Sequence, residues 1–164
     1  NGKANGHGTL TFPDGEKYVG EFKNGLLNGQ GKIMLASGSS YEGMLKDDLK
    51  HGKGKYTWHD GREYVGDYKL GVRHGWGTYT WPDGQKYEGN YVNGEKNGNG
   101  TLFVPNNGKY VGEFSNGLMH GQGEYTFLDG GKLIGEFKSD KPWNNTEYLK
   151  DGTITGKYLN GKWQ

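Results

Sequence analysis

The sequence predicts an all-β protein, a single-layer antiparallel sheet of successive β-hairpins, and three observations carry this expectation. A tyrosine returns every 23 residues, at Tyr18, Tyr41, Tyr64, Tyr87 and Tyr110, and an unbroken period of this length marks an array of repeated supersecondary units. Within the unit from Tyr64 to Gly84, the residues Tyr64, Gly66 and Tyr68 alternate with Val65 and Asp67. In the same way Gly75, Gly77, Tyr79 and Trp81 alternate with Trp76, Thr78 and Thr80. Successive strand residues point to opposite faces, so a period of two is strand periodicity. The two runs are separated and followed by turn-forming stretches, Lys69 to His74 and then Pro82, Asp83 and Gly84, and each unit therefore reads as one hairpin. Glycine weakens a free strand, so the paired glycines of each unit are expected where a ring or a neighbouring backbone lies close against the sheet.

Composition narrows the class. Only 30% of the 164 residues are hydrophobic while 33 are glycine, which is too little apolar material for a conventional layered core. Glycine without a three-residue period excludes collagen, and the regular placement of 12 Tyr, 5 Trp and 6 Phe argues against disorder. Aromatic rings bury a large area each and pair favourably, so a row of them can partly replace a thick core. The absence of cysteine excludes a disulfide framework, a thiol nucleophile and a thiolate metal site, and leans towards the cytoplasm. With 20 Lys and Arg against 19 Asp and Glu the net charge is +1, which removes the general electrostatic case for nucleic acid. No apolar run approaches the roughly 20 residues needed to span a bilayer.

Taken in order, residues 1–17 read as a partial N-terminal repeat, because Gly2, Asn5, Gly6, Gly8, Leu10, Phe12, Asp14 and Gly15 match the second half of a unit without its opening tyrosine. A chain that opens in mid-repeat and without methionine reads as a section of a longer protein. Residues 18–132 hold five full repeats. Asp48 replaces a loop glycine, and Asn106 and Asn107 replace an Asp-Gly turn that is expected to persist, since asparagine tolerates the left-handed backbone. After Leu133, which stands for the tyrosine, the pattern decays: Trp143 takes the His or Asn position, Asn144 and Thr146 take two glycine positions, and the Asp151-Gly152 turn comes early. Residues 133–164 read as a degenerate C-terminal repeat and cap.

Tyr64, Gly66, Tyr68, Gly71, His74, Gly75 and Gly77 resemble the MORN (membrane occupation and recognition nexus) repeat, whose pattern is Tyr-x-Gly-x-Trp-x-x-Gly-x-x-(hydrophobic, His or Asn)-Gly-x-Gly. The family tryptophan is replaced by Phe22, Leu45, Tyr68, Tyr91 and Phe114. The resemblance implies an elongated, twisted antiparallel sheet of successive hairpins with a groove lined by aromatic residues. It also implies a repeat that is not itself catalytic, as in arrays that bind partner peptides, self-associate, or sit beside phosphoinositide kinases, junctional membrane proteins and lysine methyltransferases. A repeat is a scaffold, and function resides in what its surface carries.

Strand parity places Tyr41, Tyr56, Trp58, Tyr64, Tyr68, Tyr79, Trp81, Tyr87 and Tyr91 on one face. These rings are expected to pack as the stabilising row, and those of the central units also to line a groove for an extended or helical peptide. The other parity carries Glu21, Lys32, Met44, Lys46, Lys55, Asp67, Lys69, Trp76 and Glu113, read as solvated charge, with Glu21 expected opposite Lys32. Lys23, Lys46 and Lys69 recur at the unit period as a stripe suited to anionic headgroups, which ends at Val92 and Ser115.

Catalytic chemistry is not expected. His51, His74 and His120 occupy a position that holds Asn5, Asn28 and Asn97 in other units, which suits a loop residue with a local hydrogen bond better than a shared zinc site. The Asp-Gly pairs lack the alternating acids of a calcium loop, and Asp47 and Asp48 lie in a loop without a burying environment. No metal and no cofactor are expected. The reading is a non-catalytic repeat scaffold for protein–protein interaction, by peptide binding or self-association, through the aromatic groove. Its alternatives are a peripheral membrane adaptor that binds phosphoinositide through the lysine stripe, and an accessory region of a larger enzyme. The expected partner is a protein or peptide, with anionic lipid and a homo-oligomer as further candidates. The expected location is cytoplasmic, membrane-associated under the lipid alternative.

Overall fold

The period-two alternation becomes strand in every repeat of the computed structural model, which describes residues 2–164. The chain divides into two units, Asn1–Pro82 and Asp83–Gln164. In the first, β1 (Gly6–Thr11), β2 (Lys17–Lys23), β3 (Leu26–Met34), β4 (Ser40–Lys46), β5 (Leu49–Thr57), β6 (Glu63–Lys69) and β7 (Val72–Thr80) follow one another. Each pairs antiparallel with its sequence neighbours inside the unit. The second unit continues in the same manner with β8 (Lys86–Val92), β9 (Glu95–Val104), β10 (Gly108–Ser115), β11 (Leu118–Phe127), β12 (Lys132–Lys138), β13 (Lys141–Tyr148), β14 (Ile154–Leu159) and β15 (Lys162–Trp163). The described residues contain no helix, and the fold is all-β, built from successive hairpins.

Two kinds of turn alternate. The tight ones hold two residues, Asn24-Gly25, Asp47-Asp48 and Leu70-Gly71 in the first unit, and all six have positive φ. That is the hairpin geometry whose twist matches the flanking strands, and it favours Asn, Asp and Gly. The longer loop expected from Lys69 to His74 is thereby corrected: Val72 already pairs with Lys69, as Leu49 does with Lys46 and Leu26 with Lys23. The wider turns carry the Asp-Gly pairs. Asp14, Asp60 and Asp129 each accept, through Oδ1, the backbone N–H two residues on, at 3.0, 3.2 and 2.8 Å. This is the side-chain mimic of a backbone turn. The substituted turn persists as expected, with Asn106 at φ 61° and the Asn107 N–H donating to the Val104 carbonyl at 3.1 Å.

Each full hairpin of the first unit contains a bulge. Across β2 and β3, Gly20 faces Gly31 and Phe22 faces Leu27, so Asn28, Gly29 and Gln30 oppose Glu21 alone. The widened strand needs a left-handed residue there, and Gly29, Gly52 and Gly75 supply it at φ 93°, 58° and 63°. The bulge also corrects the expected pairing of Glu21 with Lys32. Lys32 faces Val19 instead, and its Nζ reaches Glu42 on β4 at 3.3 Å.

The core is one ring thick. Tyr18, Tyr41, Tyr64, Tyr87 and Tyr110 are at most 1% exposed, and each covers the paired glycines of its own hairpin. Their hydroxyls donate to carbonyls three residues on in the same strand, those of Glu21, Met44, Asp67, Asn90 and Glu113, at 2.6 to 3.1 Å. Those acceptors are the residues that face the bulges, so the ring that covers the glycine pair also fixes its own strand where the bulge opposes it. In β12 and β13 the bulge is one residue shorter: Gly135 faces Asn145, and Thr146 faces Ile134. The expectation that Asn144 and Thr146 fill the glycine positions is corrected accordingly. The buried Asn145, whose Oδ1 accepts the Trp143 N–H at 2.8 Å, occupies the place where a full tyrosine ring would lie, and Leu133 replaces that tyrosine.

Candidate functional site

The register of the first unit assembles the aromatic face. Tyr41 faces Tyr56, Tyr56 faces Tyr64, and Tyr64 faces Tyr79 across four consecutive strands. Tyr68, on the same face as Tyr64, packs edge-on against Tyr64 and Tyr41 with centroids 5.2 and 5.3 Å away, a favoured geometry for ring pairs. Trp58 lies between Tyr56 at 4.5 Å and Tyr79 at 5.2 Å, and Trp81 stands 4.3 Å from Tyr79. Seven of the nine aromatic residues expected to form the groove thus belong to the first unit. Tyr87 and Tyr91 belong to the second, where they meet edge-on at 5.3 Å and Tyr87 also touches Phe114 at 5.0 Å.

Burial separates these rings into two groups. Tyr41, Tyr64, Tyr68 and Tyr79 are 5% exposed or less and form the floor of the first unit, and Tyr87 and Tyr91 are as deeply buried within the second. Tyr56, Trp58 and Trp81 are only half-buried and form a ledge standing on the floor of the first unit.

The periodic tyrosines, the glycine pairs beneath them and the tight turns together decide the family. The MORN repeat model matches residues 1–17, 18–40, 41–61, 64–86, 87–109 and 110–132. The chain belongs to the MORN repeat family. Among solved structures it is similar to the TCP domain of Drosophila melanogaster SAS-4 (dCPAP) in complex with a proline-rich motif of Ana2 (dSTIL). That match has 16% identity and a TM-score of 0.51, and covers 90% of this chain and 86% of the other. It is also similar to a mutant TCP10 domain of Danio rerio CPAP, with 13% identity, a TM-score of 0.56 and coverage of 92% and 71%. At these identities the likeness shows the fold alone. No curated protein matches the chain by sequence at a significant level.

The MORN face also carries cations that the sequence reading left out. Opposite Phe22, Leu45 and Tyr68 in the three bulged hairpins of the first unit stand Leu27, Lys50 and Arg73. Lys50 Nζ lies 4.4 Å from the Tyr56 centroid and 5.7 Å from those of Tyr41 and Tyr68. The Arg73 guanidinium lies 5.3 Å from the Tyr79 centroid and 5.7 Å from that of Tyr64, within cation–π range. Lys96 holds the same repeat position in the second unit, over Tyr87 and Phe114. The signal was present at 23-residue spacing, in a column that reads Leu27, Lys50, Arg73, Lys96 and Met119. At the rim, Arg62 lies 5.3 Å from the Trp58 centroid and pairs with Asp60 at 2.8 Å. Its hydrogen bond holds the Asp60 carboxyl below the usual range.

Burial shapes the titration of this face. It pushes the Tyr41 phenol up from 10.0 to about 12, and raises Tyr64 and Tyr68 further. It lowers Lys50, with the neighbouring Arg73 charge adding to the effect. A phenol whose folded pKa is raised contributes stability fully below the unfolded value, and that contribution is lost as pH rises through the folded one. The fold is therefore expected to hold up to about pH 10 and to weaken between there and about pH 12. Phenolate absorbance followed beside circular dichroism in an alkaline titration checks this, with buried tyrosines ionising together with loss of the sheet signal. Independent ionisation with the sheet intact would contradict it.

The other expected features are placed as follows. Lys23, Lys46 and Lys69 close β2, β4 and β6 at equivalent exposed positions, facing Leu26, Leu49 and Val72. The acidic Asp47 and Asp48 follow Lys46 in the turn, and Asp48 Oδ1 accepts the Leu27 N–H at 2.7 Å. The opposite face is laced by Lys32–Glu42, Lys53–Asp67 and Lys55–Glu63 pairs at 3.3, 2.8 and 2.7 Å, and its Trp76 is 47% exposed. His51, His74 and His120 lie in β5, β7 and β11 rather than in loops. At the same repeat position, Asn5 Oδ1 accepts the Asn24 N–H at 2.9 Å and Asn28 Nδ2 donates to Asp47 Oδ1 at 3.2 Å. These bonds reach the next hairpin turn and are not local. Among the described residues no cluster of three His, Asp or Glu side chains could hold a metal ion.

Proposed function

We propose that this chain is a non-catalytic MORN scaffold that binds an extended segment of a partner protein on the aromatic ledge of its first unit. The observation that carries the reading is the half-buried set Tyr56, Trp58 and Trp81, in which both tryptophans pack against the buried Tyr79. The buried floor fixes the ring orientations, so little side-chain freedom remains to be lost on binding. Exposed aromatic patches of this kind are interaction sites. Aromatic-lined grooves dock proline-containing segments because the polyproline II conformation is already extended and presents flat ring faces. The similar TCP domain of SAS-4 is seen with a proline-rich motif of Ana2, which accords with a proline-containing segment here. In this reading residues 133–164 serve as the cap of the second unit. The lysine stripe is the weaker candidate, because its edge also presents Asp47 and Asp48.

The test is calorimetric titration of the chain with a proline-rich peptide, repeated on Trp58→Ala and Trp81→Ala. Each substitution is expected to weaken binding by about 2 kcal/mol, or roughly 30-fold, with the unfolding midpoint little changed because both rings are partly solvated. Unchanged affinity in both variants would remove the ledge from the interface. Tyr68→Ala is unsuited to this purpose: Tyr68 is 5% exposed, and its truncation is expected to act through unfolding.

A further inference from the structure

We propose that the segment received by the ledge carries two prolines at positions i and i+3, one seated on Trp58 and the other on Trp81, with its backbone running across the strands. This rests on the proposed peptide-binding reading and adds the sequence of the occupant. The first argument is positional. Trp58 and Trp81 share one repeat position, in a column that reads Phe12, Leu35, Trp58, Trp81, Val104 and Phe127. Leucine and valine satisfy the fold there, so two tryptophans in consecutive hairpins exceed what a hairpin requires. Arg62 immediately precedes β6, the strand between the two that lead into these tryptophans, and its column otherwise reads Glu16, Ser39, Gln85, Gly108 and Gly131. Two half-buried indoles with an arginine between them therefore occur at one place in the array.

The second argument is metric. Trp58 follows β5 and Trp81 follows β7, so the two lie two strand spacings apart, about 9.6 Å. Tyr79 stands between them, 5.2 Å from Trp58 and 4.3 Å from Trp81, and its burial leaves the indoles as the rings a partner meets. A polyproline II segment has three residues per turn and rises about 3.1 Å per residue, so its residues i and i+3 lie on one side, about 9.3 Å apart. One turn of that helix thus matches one hairpin repeat, and prolines two or four residues apart point to different sides. The same conformation makes no internal hydrogen bonds, so the carbonyls between the two prolines need donors. Arg62 is placed to supply one. Its guanidinium lies 5.3 Å from the Trp58 centroid. Of the five N–H donors of an arginine, the Nε–H goes to Asp60 at 2.8 Å and another to Tyr79, which leaves donors for a peptide carbonyl.

The experiment is fluorescence anisotropy with three short labelled peptides, each holding two prolines in a serine background, at i and i+2, at i and i+3, or at i and i+4. All three are titrated with the whole chain, with Trp58→Leu and with Trp81→Leu, leucine being the residue already present in this column at Leu35. The expected result is a preference of roughly fivefold or more for the i, i+3 peptide, lost in both variants because each removes one seat. Equal binding of the three peptides, still weakened by Trp58→Leu, would overturn the proline spacing and leave the aromatic reading standing. Tightest binding of either other spacing would do the same. A preference for i, i+3 that survives in both variants would seat the prolines elsewhere and also overturn the proposal. Failure of all three peptides to bind would overturn the spacing together with the reading it rests on. Should a variant not fold, the i, i+3 peptide with either proline replaced by serine tests the same seats on the unaltered chain. Each replacement is expected to weaken binding, and unchanged affinity in either would overturn the two-seat arrangement.

Discussion

Gly66→Ala and Gly77→Ala are each expected to destabilise the first unit by roughly 3 kcal/mol, the upper range for forcing a methyl group into a filled space. A Cβ on Gly66 would lie 2.5 Å from the Gly77 Cα and 2.7 Å from the Trp76 carbonyl oxygen. Both are backbone atoms, which yield only if the strands part. A Cβ on Gly77 would lie 2.5 Å from Cε2 of Tyr64, and that ring is fully buried and has nowhere to go. Carbon atoms settle at about 3.5 to 4.0 Å, so relief requires a shift of about 1 Å in a sheet that is one layer thick. The matched control is Gly15→Ala. Gly15 has φ 90° with nothing within 4 Å of its added Cβ, so that variant shows only backbone strain of about 1 to 2 kcal/mol. Urea unfolding of the three variants gives the ranking directly. If the midpoints of Gly66→Ala and Gly15→Ala coincide, the glycines serve only the backbone and the ring-on-glycine core is wrong. The Leu133 hairpin shows the compensation in the native chain, since Asn145 replaces the second glycine where leucine replaces the ring.

The sequence made the hairpins legible because glycine and tyrosine are bound to each other by geometry. A ring that must lie flat on two strands demands glycine at both, and the 23-residue spacing repeats the demand. The Asp-Gly turns were legible because the aspartate carboxylate accepts the backbone N–H two residues on and the glycine supplies positive φ. The bulge was not legible. Gly29, Gly52 and Gly75 look like any other glycine in the alternation, and only the paired strand shows that extra residues oppose Glu21, Met44 and Asp67. Missing the bulge displaced Lys32 from Val19 to Glu21 and put His74 in a loop. The aromatic face was legible as a set, because parity alone fixes it. Its division into a buried floor and a half-buried ledge was not, because Tyr56 and Tyr64 have the same parity and differ only in the neighbours that cover them. Lys50 and Arg73 escaped notice because a cation in a strand reads as solvent-facing charge until the register sets it over a ring.

Tyr64→Ala is expected to have the largest effect of any single substitution, a loss of about 3 to 5 kcal/mol. The ring is 0% exposed, covers Gly66 and Gly77, and supports Tyr68 edge-on at 5.2 Å. Alanine leaves that volume empty in a layer with no second sheet to collapse into it. For a unit of 82 residues the whole stability is about 4 to 12 kcal/mol, so the loss approaches the margin for folding. Tyr64→Phe separates the two contributions. It keeps the ring and removes the hydroxyl that donates to the Asp67 carbonyl at 3.0 Å, so a cost near 1 kcal/mol is expected. Denaturant unfolding of the pair should therefore differ by at least about 2 kcal/mol, with phenylalanine the milder. Near-equal losses would mean that the hydroxyl bond opposite the bulge carries the stability. A small loss in both would mean that the tyrosines are not the core and are available to a partner. The same comparison at Tyr56, whose ring is only half-buried, should show a much smaller stability loss. Where burial is complete a substitution acts on folding, and where it is partial the effect passes to binding, so the two scans together draw the edge of the ledge.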